Sequence, residues 1–431
     1  MKKLLCILAA AAALCACTAN RDQILKVYNW SDYIDESVIP EFEQWYQEQT
    51  GQKVKVIYQT FDVNETMLSK IEKGHEDFDV ICPSDYIIER MLQNHLLLPI
   101  DREFGDTPNY IDDNLSPYVR NRFDMMSGGK YNANDYAVGY MWGTTGILYN
   151  AGHVTPEEAS TWDIIRNSKY SGKIFIKDSP RDVFSQIIIY LRRDDVAAGK
   201  VTLDELMTDS SDEALEAVEA YMKQVRPLVA GWEADFGKDQ MTQERGWISL
   251  NWSGDAVWAI EEAVEMGVDL RYSLPKEGFA VWFDGWVIPK FAQNITAAKY
   301  WINFMSRPDI VIRNVDVTGY VSVSGAPEVL EAFIDEEKYG PIDLSYFFSP
   351  ADTAVCVNPV LYPDKADIER STQEHDWGDR TPELVAMWSR VKGESANGMT
   401  VIVVAIFLVA LAGFAVYSKF FKKRKKSHKR R

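Results

Sequence analysis

The residues best suited to chemistry recur as one theme, an acid beside Ser and Trp or Tyr just after an apolar run. The chain reads Asn29-Trp30-Ser31-Asp32-Tyr33, Pro83-Ser84-Asp85-Tyr86, Ser179-Pro180-Arg181-Asp182, Trp252-Ser253-Gly254-Asp255 and Trp282-Phe283-Asp284. Brought into one cleft, these segments would set five carboxylates against indole and phenol faces. That combination suits a flexible diammonium or triammonium. Amines with pKa values near ~10 stay charged at neutral pH and need carboxylate partners once dehydrated. Aromatic faces add cation–π attraction of about 0.5–2 kcal/mol each and cover the intervening methylenes, at about 0.8 kcal/mol per buried CH₂. Ser31 and Ser84 are suited to orienting amine hydrogens. Taken singly, Ser or Asp after a strand is also the ordinary N-cap of the next helix, and Trp there is ordinary core. The recurrence argues for a site.

The elements that must position these residues alternate in type. Ile24 to Asn29 is strand-like, a helical pattern runs through Val38, Phe42, Trp45 and Tyr46, and Lys53 to Tyr58 alternates as a strand. Glu65 to Lys73 reads as a helix and Phe78 to Cys82 as a buried strand. The rhythm resumes with strands at Gly146 to Asn150 and Lys173 to Lys177, and helices from Arg181 and over Asp212 to Gln224. A strand at Trp247 to Trp252 leads into the helix Asp255 to Glu265. A further strand, Phe279 to Pro289, precedes the helix Ala297 to Met305. This order predicts an α/β fold with a parallel sheet and ligand at the strand C-terminal ends.

With 431 residues the chain has room for two lobes. Its net charge of −18 hides an asymmetry: residues 18–418 hold 35 Lys/Arg against 64 Asp/Glu, about −29. Such a domain repels nucleic acid and favours cationic partners. Lys2 and Lys3 followed by Leu4 to Leu14 read as an export signal over residues 1–17, and Leu14-Cys15-Ala16-Cys17 resembles a bacterial lipobox that would acylate Cys17. Residues 399–417 form an uncharged run long enough for a ~30 Å hydrocarbon core. The basic tail 418–431 predicts that its far end stays in the cytoplasm. The domain between is thus expected on the periplasmic side of a bacterial inner membrane, anchored at both ends. Cys82 and Cys356 would be the thiols left beside Cys17, paired or free. No CxxC, HExxH or His-rich cluster occurs among five histidines, so neither a metal nor another cofactor is implied.

At the clusters above the chain resembles the periplasmic spermidine/putrescine-binding proteins of polyamine ABC importers. The resemblance runs from about Leu25 to Lys392. It includes Tyr28-Asn-Trp-Ser-Asp-Tyr-Ile34, Asn64-Glu-Thr-Met67, Phe78-Asp-Val-Ile-Cys-Pro-Ser84, Tyr140-Met-Trp-Gly-Thr-Thr-Gly146, Arg181-Asp-Val-Phe184 and Pro275-Lys-Glu-Gly278. It implies a two-lobed type II periplasmic-binding-protein fold with hinge strands, to which the C-terminal transmembrane helix is an unusual addition. Residues 22–138 and 283–326 would form the N-terminal lobe, and 139–282 and 327–394 the C-terminal lobe. It also implies an aromatic box of Trp30, Tyr33, Trp252, Trp282 and Tyr320. Asp32 would hold a terminal amine, with Ser31 and Ser84 beside it, Asp182 would stand for a Glu of the family that is one methylene longer, and Asp284 would contact the amines deeper in the cleft. Asp255 matches the putrescine-binding members. Ser179, Asp85 and Tyr86 complete the expected ligand set, and Glu374 falls near a ligand-contacting Gln. The partners implied are a polyamine and ABC permease subunits, with the receptor acting as a monomer. Paired acids with Trp platforms also describe glycoside hydrolases. The spread of these acids over many strand ends, together with the export signal, argues for a receptor instead.

Overall fold

The computed structural model describes residues 21–234, 236–348 and 354–393. The export signal with Cys17, the apolar run 399–417 and the basic tail lie outside the described residues. The described residues fall into two compact units divided at Thr381/Pro382. The second contributes little beyond one helix, Thr381–Lys392.

Ten strands matter to the argument: β1 (Ile24–Trp30), β2 (Lys55–Phe61), β3 (Val80–Ile81), β4 (Leu97–Leu98), β5 (Ala137–Asn150), β6 (Ile174–Lys177), β7 (Val229–Glu233), β8 (Ile248–Trp252), β9 (Leu270–Ser273) and β10 (Phe279–Pro289). The sheet order is β2-β1-β3-β10-β5-β8-β6-β7. The first three strands are parallel to one another, as are the last three. Joining them, β10 and β5 run antiparallel to each other and to their neighbours β3 and β8. The sheet is therefore mixed, not parallel throughout as the alternation predicts. Gly146 to Asn150 is only the end of a fourteen-residue strand whose every residue is buried. That strand hides from a periodicity reading because both of its faces are covered, so polar Thr144 and Thr145 interrupt the apolar run without marking an exposed side.

The helices follow amphipathic spacing. In α1 (Val38–Thr50), Val38, Phe42 and Tyr46 face inward at four-residue steps, and Gly51 ends the helix at a φ of 71°. Next come α2 (Asn64–Glu72), α3 (Asp85–Gln93), α4 (Pro180–Ala197), α5 (Asp212–Val225), α6 (Gly237–Thr242), α7 (Ser253–Met266), α8 (Ile295–Met305) and α9 (Pro308–Thr318). One apolar core joins α1, α8, β1 and Trp286 of β10. A second lies where Ala256, Ala259 and Ala263 of α7 meet Leu148 and Leu270. Of the two remaining cysteines, Cys82 is buried and Cys356 partly exposed, and neither is in a disulfide.

Gly254, in the first turn of α7, has a specific packing reason: a Cβ there would overlap the ring of Tyr320. A Cβ at Gly143 of β5 would come within 2.6 Å of the Trp282 ring. Gly254→Ala is therefore expected to destabilise the protein by about 1–3 kcal/mol through overpacking. A thermal melt checks this, and an unchanged melting temperature would remove the proposed close approach.

Candidate functional site

The loops that follow β1, β2 and β3 in one half of the sheet and β6, β7 and β8 in the other open onto a single cavity of about 930 Å³, its open mouth included. This is where parallel α/β units place ligand, outside the carboxyl ends of their strands. From the first half come Trp30, Ser31, Asp32 and Tyr33 after β1, Phe61, Asp62, Asn64 and Glu65 after β2, and Ser84 and Tyr86 after β3. From the second come Asp178, Ser179 and Asp182 after β6, Ala234 after β7, then Trp252, Asp255 and Lys238. Trp282, Asp284, Tyr320 and Glu374 close the wall.

Thirteen of the fourteen expected ligand residues thus line one space. The exception is Asp85. Its side chain turns away, accepting hydrogen bonds from the Tyr86 amide at 2.8 Å and the Phe283 amide at 3.3 Å, and it is fully buried. Its acidity serves the backbone there, as at any helix start. Trp282 and Asp284, expected at a strand end, lie inside β10 instead. The register of β10 against β5 shifts between Asp284 and Gly285, and such a bulge re-aims a side chain.

The aromatic groups meet in pairs. Trp30 and Trp252, from opposite halves, approach edge to face at 6.4 Å. Tyr320 packs against both Tyr33 at 5.0 Å and Trp282 at 5.6 Å. Asp32 carries a left-handed backbone (φ 51°), uncommon outside glycine though tolerated by Asp, and its carboxylate stays exposed at the rim. Ser31 donates to Asp62 at 2.8 Å. Ser179 does cap α4, accepting from the Asp182 amide, whereas Ser84 makes no such cap and instead receives a bond from the Asn64 side chain at 3.0 Å. The N-cap reading therefore explains Ser179 and not Ser84.

The carboxylates divide into two kinds. Asp284 accepts from the Tyr33 hydroxyl at 2.8 Å and has the Ser84 hydroxyl beside it, while its second oxygen, Oδ1, is buried without a hydrogen bond of ordinary length. Burial pushes its carboxyl up to about 7. Burial and the charge of Asp182 push Glu374, whose Oε1 is buried in the same way, up to about 8. Burial also raises Glu65 and Asp182, the latter held by Thr145 at 3.0 Å, the Trp252 indole at 3.2 Å and Ser179. Asp255 behaves otherwise. Burial opposes its ionisation, but Lys177 at 2.5 Å and Lys238 at 3.7 Å outweigh it, so its carboxyl is lowered. Lys177 is wholly buried, pairs also with Glu233 at 3.3 Å, and lies 4.3 Å over the Trp252 ring.

Sequence reasoning missed Lys177, Lys238, Asp62, Asn64, Glu65 and Asp178 as site residues. Asp62, Asn64 and Glu65 obey the same rule, acids and amides just past a strand, and extending that rule to the end of β2 would have found them. Lys238, on the short helix α6, carries no such signal. Among the described residues no cluster of His, Cys, Asp and Glu is placed to hold a metal ion. None of the described helices is long and apolar enough to cross a membrane.

The sequence profile of the bacterial extracellular solute-binding protein family matches residues 42–335. The chain belongs to that family. Among its relatives is the spermidine/putrescine-binding periplasmic protein of Salmonella typhimurium, 27% identical over 89% of this chain and 96% of that protein. The putrescine-binding periplasmic protein PotF of Escherichia coli is 29% identical over 78% of this chain and 85% of its own length. Among solved structures, the spermidine/putrescine ABC transporter substrate-binding protein PotD of Streptococcus pneumoniae superposes with a TM-score of 0.61 at 27% identity, covering 86% of this chain and 98% of that one. The mixed α/β fold is thus that of a periplasmic binding protein, the architecture of an extracytoplasmic solute receptor.

The raised carboxyls give the family member a distinctive pH response. Unfolded Asp and Glu titrate near ~4, so between about pH 4 and 8 the folded chain holds protons at Asp284 and Glu374 that the unfolded chain releases. Their contribution to stability is complete below that window and is lost as pH rises through the folded values. Glu374→Gln is expected to flatten the fall in melting temperature between about pH 5 and 8.5; parallel slopes in the two proteins would exclude Glu374 as a source.

Proposed function

We propose that this protein captures a polyamine of the putrescine and spermidine class outside the cytoplasm and presents it to the permease subunits of an ABC importer. The observation that carries this reading is a cavity walled by eight carboxylates and six Trp or Tyr rings, with buried oxygens on Asp284 and Glu374 that make no hydrogen bond of ordinary length. A dehydrated ammonium finds in that arrangement the carboxylate partners it needs, whereas a neutral sugar brings no charge to offset their ionisation. The relatives named for spermidine and putrescine point the same way. The acids come from many strand ends in both halves of the sheet, which fits wrapping a multiply charged chain better than the paired carboxylates of hydrolysis.

The same reading assigns the expected lobes, 22–138 with 283–326 and 139–282 with 327–394, closing about the crossing strands β5 and β10. Calorimetric titration with putrescine, cadaverine, spermidine and spermine tests it. Binding is expected, with scattering that contracts on saturation. Because an ammonium favours the ionised carboxylates, protons should be released and affinity should rise from about pH 6 to pH 8. Binding of a sugar and of none of these amines would overturn the proposal.

Export through residues 1–17, acylation at Cys17, a span over 399–417 and a cytoplasmic basic tail belong to the same proposal, supported by the sequence pattern at both ends. Protease added to intact and opened cells checks the topology: the tail should be cut only in opened cells, and a tail digested from outside would refute it.

A further inference from the structure

Lys238 is the one cationic side chain among the described residues that line the cavity. Its ammonium lies 3.7 Å from Asp255 and 3.8 Å from Asp32, carboxylates that reach it from opposite halves of the sheet. It stands 5.2 Å over the Trp258 ring, and its side chain is only 14% exposed. Two carboxylates and an indole face are the environment that a ligand ammonium requires. At this end of the cavity the protein supplies that ammonium itself. Asp255 is doubly engaged, since Lys177 holds its other oxygen at 2.5 Å. At Asp284 and Glu374 the opposite holds: among the described residues neither forms an ion pair, and Asp284 Oδ1 and Glu374 Oε1 are buried without a hydrogen bond of ordinary length, with Ser84 beside the one and Ser185 beside the other.

We infer that Lys238 is a specificity-determining residue, a tethered ammonium that disfavours a second free amine at the Asp32–Asp255 end and favours a ligand whose far end is neutral and polar, such as a diamine acylated at one nitrogen. This rests on the polyamine reading and refines it. A free diamine must displace Lys238 from both carboxylates or sit beside a like charge. A monoacyl diamine places its remaining ammonium against Asp284 and Glu374 and leaves the Lys238 contacts in place.

The test is the ratio of two affinities, putrescine against N-acetylputrescine, measured by calorimetry on the wild-type protein and on Lys238→Met. The ratio is expected to move toward putrescine by on the order of tenfold in the variant, the size of one near-surface charge contact. Comparing a ratio cancels any general change in fold or hydration, and Lys238→Gln serves as the second variant should Lys238→Met fail to fold. If putrescine binds but the ratio stays put or moves the other way, Lys238 sets no preference and the inference falls while the polyamine reading stands. If neither protein binds either amine, both fall together.

Discussion

The antiparallel pairing of β5 with β10 is the constraint on which the rest depends. Each of these strands is hydrogen-bonded on its other side to a strand of one parallel half-sheet, β8 for β5 and β3 for β10. Within each half the parallel strands end on the same side, so the pair brings two sets of strand ends to one cavity. Parallel strands leave their C-terminal loops as the only places where side chains can gather without interrupting the ladder. The bulge beside Asp284 adds a site residue from within the joining strand itself, which a regular ladder would have turned elsewhere.

Electrostatics then separates the carboxyls of the cavity into two unlike groups. Carboxylates removed from water either find a cation or keep a proton. Asp255 finds Lys177 and Lys238 and is held ionised. Asp284 finds none, and Glu374 feels only the charge of Arg181 without forming an ion pair with it, so burial raises both. A cavity poised in this way holds protons at Asp284 and Glu374 that are available for exchange with a cation, while beside Asp32 and Asp255 an ammonium of the protein is already in place. Glycine 254 shows how tightly the aromatic wall is built around this: Tyr320 packs where a Cβ would stand, and Tyr33 and Trp282 are set against Tyr320 in turn.

Much of this was legible in the chain. The alternation of strands and helices announced the α/β class, and α1 or β8 could be placed to within a few residues because a one-sided apolar pattern reports which face is buried. The site theme also survived, since Asp32, Asp182, Asp255 and Asp284 do face one space. Other features carried no local sign. Asp85 shares the motif of its companions, yet its carboxylate serves the backbone of its own helix start and of Phe283, and only the arrival of β10 decides that. The direction of β5 and its length were hidden because a strand buried on both faces has no periodicity to read.

The amino-acid sequence by itself determined the class of fold, the chemistry of the site and its bias toward cations, because apolar spacing, acidic excess and the pairing of acids with aromatics are local or additive properties of a chain. Which carboxylates form no ion pair, and which are already answered by Lys177 and Lys238, only the tertiary structure decided. Lys177 and Lys238 lie 78 and 17 positions from Asp255 and far from Asp32 in the chain, and charges separated in sequence interact through distance and burial alone.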